Sequence, residues 1–460
     1  MDAKNLVTIK ALSSANGLAA DGLRLGYSTE TGAPVDIPDA DLLRHSHILS
    51  PAGAGGEALC EYLLAQQIAR GGGFLYVDSR TDGQVGGKAR RLMKAFRRSD
   101  ELFRMDLDAE DTHTYNPLYA GRPDEIANRL MCVWKAGTAG SDETYERQQC
   151  GYALLVILDS LRAAKRYATL QDLAMLLASK RGLEYLRGLP LDETHRNYLD
   201  TLGETLGLGE PGSTAMEGPL RGIAEVAKFY SHGKFGRLMN TYTPDVVLQD
   251  VVENQHGLVL SMPAGDRLKP ARDITTMVLH DLRCAVMKLA RADGPTQGKP
   301  PFLVVLPDLS SYWNHTLLGL LDQARAANVA IVVAHRGLDS ASELGALDFS
   351  RSAVMATRTR VAFRQPPEDA RGVADKLTRW SARAGITVGA GDTSVGVSAD
   401  TLQALSRRQA IVQRGTEIQT VTVPSLWLEG ADTVGHEPSS ERTPLRLADS
   451  FQQFLRVVME

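Results

Sequence analysis

The chain has 460 residues, 43% hydrophobic and 23% charged, with a formal net charge of −4. That length excludes a single small domain and is enough to bury a sizeable core. The charge balance excludes a global basic field, so any nucleic-acid contact has to come from a local patch. Cys60, Cys132, Cys150 and Cys284 are far apart and form no CxxC or Cys/His pair. They read as buried free thiols in a reducing compartment, not as metal ligands. The amino terminus has no apolar h-region, and no run approaches the roughly 18 apolar residues of a membrane span, so a soluble, cytoplasmic protein is expected.

From Leu42 to Leu118 strand and helix alternate. "HSHILS" predicts a strand, "EALCEYLLAQQIA" a helix, "GGGFLYVDS" a strand, "GGKARRLMKAF" a helix and "LFRMDL" another strand, a pattern that argues for a parallel sheet. From about Asp124 to Asn240 the periodicity is almost wholly helical, as in "DETYERQQCGYALLVILDSLRAAKRY", broken by a loop at "GEPGSTAMEGPL". From about Val246 the alternation returns. "GLVLSMP", "PFLVVLPD" and "VAIVVAH" are nearly continuous in apolar residues, as central parallel strands buried on both faces should be. The predicted division is 1–123 for the first part of an α/β core, 124–243 for an all-helical insertion, and 244–428 for the second part. A polar linker and an amphipathic helix, "LADSFQQFLRVVME", take 429–460. That helix presents Leu447, Phe451, Phe454, Leu455 and Val458 on one side, to pack back on the core or to dock in a partner's groove.

The stretch "SPAGAGGE" follows the first core strand and opens a helix, the setting of a phosphate-binding loop. Aligned on GxxxxGK[ST], it keeps Gly53 and Gly55 but puts Ser50 at the first glycine. Gly56 takes the lysine position and Glu57 the Ser/Thr position. In a working loop the lysine neutralises phosphate oxygens and the hydroxyl binds Mg²⁺. Here one positive charge is gone and one negative charge is added. A unit pair at about 4 Å is worth on the order of 4 kcal/mol at an effective dielectric of 20, so the cradle is expected to repel a triphosphate. As a helix start the segment is sound, because Glu57 and Glu61 sit where carboxylates favour the dipole.

Several runs occur together in order: "DADLLRHSHILSPAGAGGE" with His45 just before the loop, "RGGGFLYVDSRTD", "THTYNPL", "PFLVVLPDLSSY" and "LLDQARAANVAIVVAHRGL". In this order, around a helical insertion, they resemble the type IV secretion and conjugation coupling proteins of the TraD/TraG type, over roughly residues 25 to 425. The resemblance implies a RecA-like P-loop core with a mostly parallel sheet, interrupted by an all-helical domain. It also implies a hexameric, ring-forming ATPase and a role in passing DNA or protein to a secretion channel. The family carries amino-terminal membrane helices, and no such segment is expected here.

Two further positions depart from the family pattern. Where Walker B has Asp-Glu, "LVVLPD" has Pro307 and Asp308, and where the sensor strand ends in Gln, Arg336 stands. Three altered positions that must cooperate indicate a pseudo-ATPase with no catalytic residue of its own, Asp308 and Arg336 being vestigial. No cofactor and no metal are expected. The implied role is a scaffold or substrate adaptor alongside secretion machinery and an active coupling ATPase paralogue, with a partner supplying any membrane attachment. The alternatives are an active DNA-translocating ATPase with an unorthodox P-loop, which needs ATP and Mg²⁺, and a plain binding module.

Arg325 falls where the family has an arginine, and reads either as an inter-subunit contact to a neighbour's nucleotide or as a solvated helix end. The run Lys88, Arg90, Arg91, Lys94, Arg97 and Arg98 is placed on one helix, as a phosphate-backbone patch or as a solvated outer face. His45 and His47, two apart on one strand, are expected to face the same side in a structural role. Asp78 and Asp82 read as a strand-end and turn feature.

Overall fold

The computed structural model describes residues 6–14, 17–80, 84–134, 142–178, 180–205, 219–263, 268–292, 298–309, 315–337, 357–383, 397–415 and 417–428. The polar linker, the terminal amphipathic helix, Asp82 and most of the loop at 209–220 lie outside these residues. The chain divides into two compact units. One comprises Met1–Arg104, Leu248–Thr275 and Ala285–Val434; the other comprises Met105–Val247 with Thr276–Cys284.

In the first unit the strands are β1 (Leu6–Val7), β2 (Leu23–Ser28), β3 (Pro34–Ile37), β4 (Ser46–Leu49), β5 (Phe74–Asp78), β6 (Leu102–Asp106) and β7 (Gly257–Ser261). They continue with β8 (Phe302–Leu306), β9 (Val329–His335), β10 (Thr359–Phe363), β11 (Gln409–Arg414), β12 (Glu417–Thr422) and β13 (Ser425–Leu426). Eleven form one sheet in the order β3-β2-β12-β11-β10-β4-β9-β8-β5-β7-β6, while β1 and β13 pair in parallel beside it. From β10 to β7 every pairing is parallel. From β10 to β3 every pairing is antiparallel.

The parallel half is held by the apolar runs. Every residue of β7, β8 and β9 is buried, because helices cover both faces of a parallel sheet and leave no wet side. The helix Gly56–Ala69 links β4 to β5, yet β9 and β8 lie between those strands. The carboxyl ends of four strands therefore open on one crevice, where open α/β sheets place their ligands. That helix is almost entirely buried. Its Gln66 amide bonds both Arg24 backbone groups, and its Gln67 amide donates to Gly73 O and Pro301 O. The helix is thereby fixed in rotation and height.

Some sequence expectations need correction. His45 precedes β4 with φ 62°, so it does not share a strand face with His47. The basic run is not on one helix: the helix is Gln84–Ala95, with Arg97 and Arg98 beyond it. Of the cysteines, Cys60 and Cys150 are buried, Cys284 is half-buried and Cys132 is exposed; all are free. Burial pushes the Cys60 thiol up to about 12, which keeps it protonated and inert.

The second unit is helical, with helices Pro123–Met131, Asp142–Ala163, Leu170–Ala178, Lys180–Arg187, Glu193–Thr205, Pro219–Tyr230 and Gly233–Met239. It begins at Met105 and takes in Thr276–Cys284, where the sequence division starts it at Asp124. Among the described residues no helix is long and apolar enough to cross a membrane.

Candidate functional site

β4 ends at Leu49, the chain turns through Ser50–Gly55, and the helix begins at Gly56. Gly53 and Gly55 have φ of 75° and 130°, in the region where only glycine is unstrained. A Cβ on Gly55 would lie 2.8 Å from the Phe363 ring and 2.9 Å from the Arg408 Cα. The decisive contact is at Gly56. Its N–H donates to Ser50 Oγ at 2.9 Å, so one of the amides that would meet a phosphate is capped from within the loop. A Cβ at Gly56 would stand 2.4 Å from the Ser50 Cβ and 2.7 Å from its Oγ. Any side chain at 56 therefore requires a shift at Ser50. The serine at the first glycine position and the glycine at the lysine position are one steric event, not two independent losses.

The loop borders a cavity of about 510 Å³. Arg80, just past β5, crosses its floor. Its Nε donates to Asp78 Oδ1 at 3.0 Å, Nη1 to Glu57 Oε2 at 3.4 Å and Nη2 to Glu61 Oε1 at 3.5 Å. Lys88 Nζ donates to both Glu61 oxygens at 2.8 and 2.7 Å. Asp308, after β8, accepts from Ser79 Oγ at 3.3 Å, and Arg336, after β9, is exposed on the lining. The wall carries five basic side chains (Arg80, Lys88, Arg336, Arg407, Arg408) against four acidic ones (Glu57, Glu61, Asp78, Asp308). The adverse field read from the loop alone is thus offset by cations from other elements, although Arg80 and Lys88 are engaged by protein carboxylates. The Glu57 arm is the loosest, since its side chain is 62% exposed, and such a pair is worth roughly 0–1 kcal/mol.

Trp427, Ser425 and Leu426 complete the cavity with Leu6. Nothing in the sequence pointed to them. The pairing of β1 with β13 and the Trp427 N–H bond to Val7 O bring opposite ends of the unit together, and no local pattern encodes that.

The other predicted residues fall elsewhere. Arg325 is exposed in the short 3₁₀ turn before β9. In the basic run, Lys88 faces the cavity and Arg90, Lys94 and Arg97 are exposed. Arg91 is half-buried, and Arg98 turns inward to Ile68 O, Gly72 O and Gln255 O. The surface patch is therefore smaller than the run suggests. His45 donates from Nε2 to Leu321 O at 2.8 Å and accepts at Nδ1 from the Ile331 N–H at 3.1 Å. His47 stacks on His335 across β4 and β9, with Nε2 atoms 2.6 Å apart. His335 Nδ1 donates to Gly337 O, so its Nε2 accepts from His47, whose Nδ1 has no partner. Burial, foremost, holds the pKa of all three imidazoles below the usual histidine range.

In the helical unit the Tyr-Asn-Pro-Leu run is a clasp. Tyr115 Oη donates to Asp281 Oδ2 at 3.1 Å, and Asn116 Nδ2 donates to Ala168 O and Thr241 O. The Pro117 carbonyl accepts from Arg129, whose other arm meets Asp281 Oδ1 at 2.5 Å. Arg129 and Asp281 are both buried. The motif marks an architectural knot, a role that its sequence did not reveal.

This strand-loop-helix and crevice define a P-loop core of the RecA-like class. The fold matches the bacterial conjugative coupling protein TrwBdeltaN70 with a TM-score of 0.58 at 13% identity, covering 91% of each chain. It matches plasmid coupling protein TrwB in complex with ADP and Mg²⁺ at 0.56 and 15% identity, covering 85% of this chain and 87% of that one. It also matches VirB4 of Thermoanaerobacter pseudethanolicus at 0.51 and 14% identity, covering 88% and 96%. No protein-family model matches the chain. In sequence it is homologous to the type 4 coupling protein DotL of Legionella pneumophila subsp. pneumophila, with 21% identity over 418 residues, 79% of this chain and 52% of DotL. The chain thus spans about half the length of that curated relative.

Proposed function

We propose that this chain is a coupling-protein-like subunit of a type IV secretion or conjugation system that does not hydrolyse ATP. It acts as a scaffold or substrate adaptor in the cytoplasm, without a cofactor, and works with the secretion machinery and an active coupling ATPase. The observation that carries this reading is the closed contact between Ser50 Oγ and the Gly56 N–H, in the place a lysine side chain needs. The internal pairing of Arg80 and Lys88 with Glu57, Glu61 and Asp78 supports it. Nucleotide catalysis needs a cation free to meet developing phosphate charge, and these two are committed to protein anions. Arg325, exposed in its turn, fits a chain that lends an arginine to a neighbour's site.

The net basic wall of the cavity favours the second reading, an active DNA-translocating ATPase with an unorthodox loop. Phosphate release with Mg-ATP, with and without DNA, separates the two. The account expects no turnover above a denatured control. DNA-stimulated turnover that persists in Glu57→Ala establishes the alternative.

A further inference from the structure

The cavity beside the Ser50–Gly55 turn holds charge that the protein does not use itself. The four carboxylates on its wall are engaged: Glu57, Glu61 and Asp78 by Arg80 and Lys88, and Asp308 by Ser79. Arg408 donates to Ser425 Oγ. Arg336 and Arg407 differ. Both are exposed on the lining, and no described carboxylate pairs with either. The uncommitted charge of the cavity is therefore positive, and guanidiniums carry it, whose planar forks match carboxylates.

The same wall offers an apolar seat. Trp427 is 50% exposed, and no described ring or cation lies over it. Leu6 and Leu426, both half-buried, line the same cavity. They belong to β1 and β13, a two-stranded sheet with no third strand among the described residues. An extended chain thus has a sheet to add to, with alternate side chains directed to one side.

We propose that this cavity docks an acidic peptide segment of a partner protein, extended along β1 and β13. Its large apolar side chain seats on Trp427, and its carboxylates meet Arg336 and Arg407. This rests on the reading that no triphosphate fills the crevice, and it names what the subunit engages there. Because Ser50 Oγ caps the Gly56 N–H, an anion meets side-chain cations more readily than the loop amides, which suits a carboxylate. A nucleic-acid strand would bring a phosphate with every nucleotide past Glu57, whose side chain is 62% exposed on the wall. Like charges at that range repel, whereas a peptide places its charges singly.

The test is fluorescence anisotropy of the full chain with fluorescein-labelled Glu-Glu-Phe-Glu-Glu. Saturable binding is expected, weakened roughly tenfold by Arg336→Gln and by Arg407→Gln, the scale of one lost charge-assisted hydrogen bond. Trp427→Ala should weaken it by a similar factor and Trp427→Phe should retain it, because the seat needs a ring. Lys94→Gln, which removes an exposed charge outside the cavity, should leave the affinity unchanged. No saturable binding, equal affinity for Glu-Glu-Ser-Glu-Glu, unchanged affinity in both arginine variants, or displacement by oligothymidylate more effective than by unlabelled peptide overturns the proposal. Phosphate release with Mg-ATP is read separately. Without turnover, a peptide that fails to bind sinks this proposal alone, whereas turnover sinks the reading it rests on.

Discussion

Ser50 and Gly56 show how a single contact governs the loop. Because a Cβ at position 56 runs into the Ser50 side chain, Gly56→Lys alone should cost about 1–3 kcal/mol of stability, as overpacked positions do. Adding Ser50→Gly makes room and should recover most of that loss, giving a clear non-additive term in a double-mutant cycle of denaturation midpoints. Strictly additive changes would show that the two residues do not compete for one space. The substitutions themselves were legible in the sequence, but their coupling was not, since it depends on how sharply the turn folds back. The Arg129–Asp281 pair makes a second case. Its exposure is 0% and 5%, so Arg129→Ala strands a buried carboxylate and should cost roughly 3–5 kcal/mol in urea unfolding. A loss under about 1 kcal/mol would mean that water reaches Asp281.

At the scale of elements, β4 and β9 are joined by the His47–His335 contact as well as by their ladder. The His335 pKa is lowered from 6.5 to about 4, chiefly by burial. Its folded form stays neutral where the unfolded chain already takes up a proton. Stability from this residue is therefore complete above about pH 6.5 and is lost as pH falls toward 4, by roughly 3 kcal/mol in all. A thermal melt should move down between about pH 7 and pH 5, and His335→Gln should flatten that dependence. An unchanged slope in the variant would contradict the assignment. The buried strands β7, β8 and β9 were legible as continuous apolar runs, because burial on both faces leaves its mark locally. The antiparallel half of the sheet was not legible. β12 meets β2 by pairing Val421 with Ser28, and no nearby residue signals a partner so distant in the chain. The inward turn of Arg98 was not legible for a related reason: it donates to three backbone carbonyls, a fate its sequence neighbours do not announce.

For the molecule as a whole, a RecA-like core and a helical unit go with sequence similarity to the coupling protein DotL, and the proposal that it is no motor rests on its own loop. The family resemblance was readable because five motifs recur in order around an insertion. The state of the site was only half readable, since the loop showed the missing lysine but not the cations that Arg80 and Lys88 bring from other elements. The proposed role requires a crevice that does not clasp a nucleotide triphosphate. Isothermal titration of the full chain with Mg-ATP up to about 1 mM, a concentration at which even weak sites register, tests that claim most directly. No binding heat and no shift in melting temperature are predicted. Saturable micromolar binding, with a matching rise in melting temperature, would contradict it.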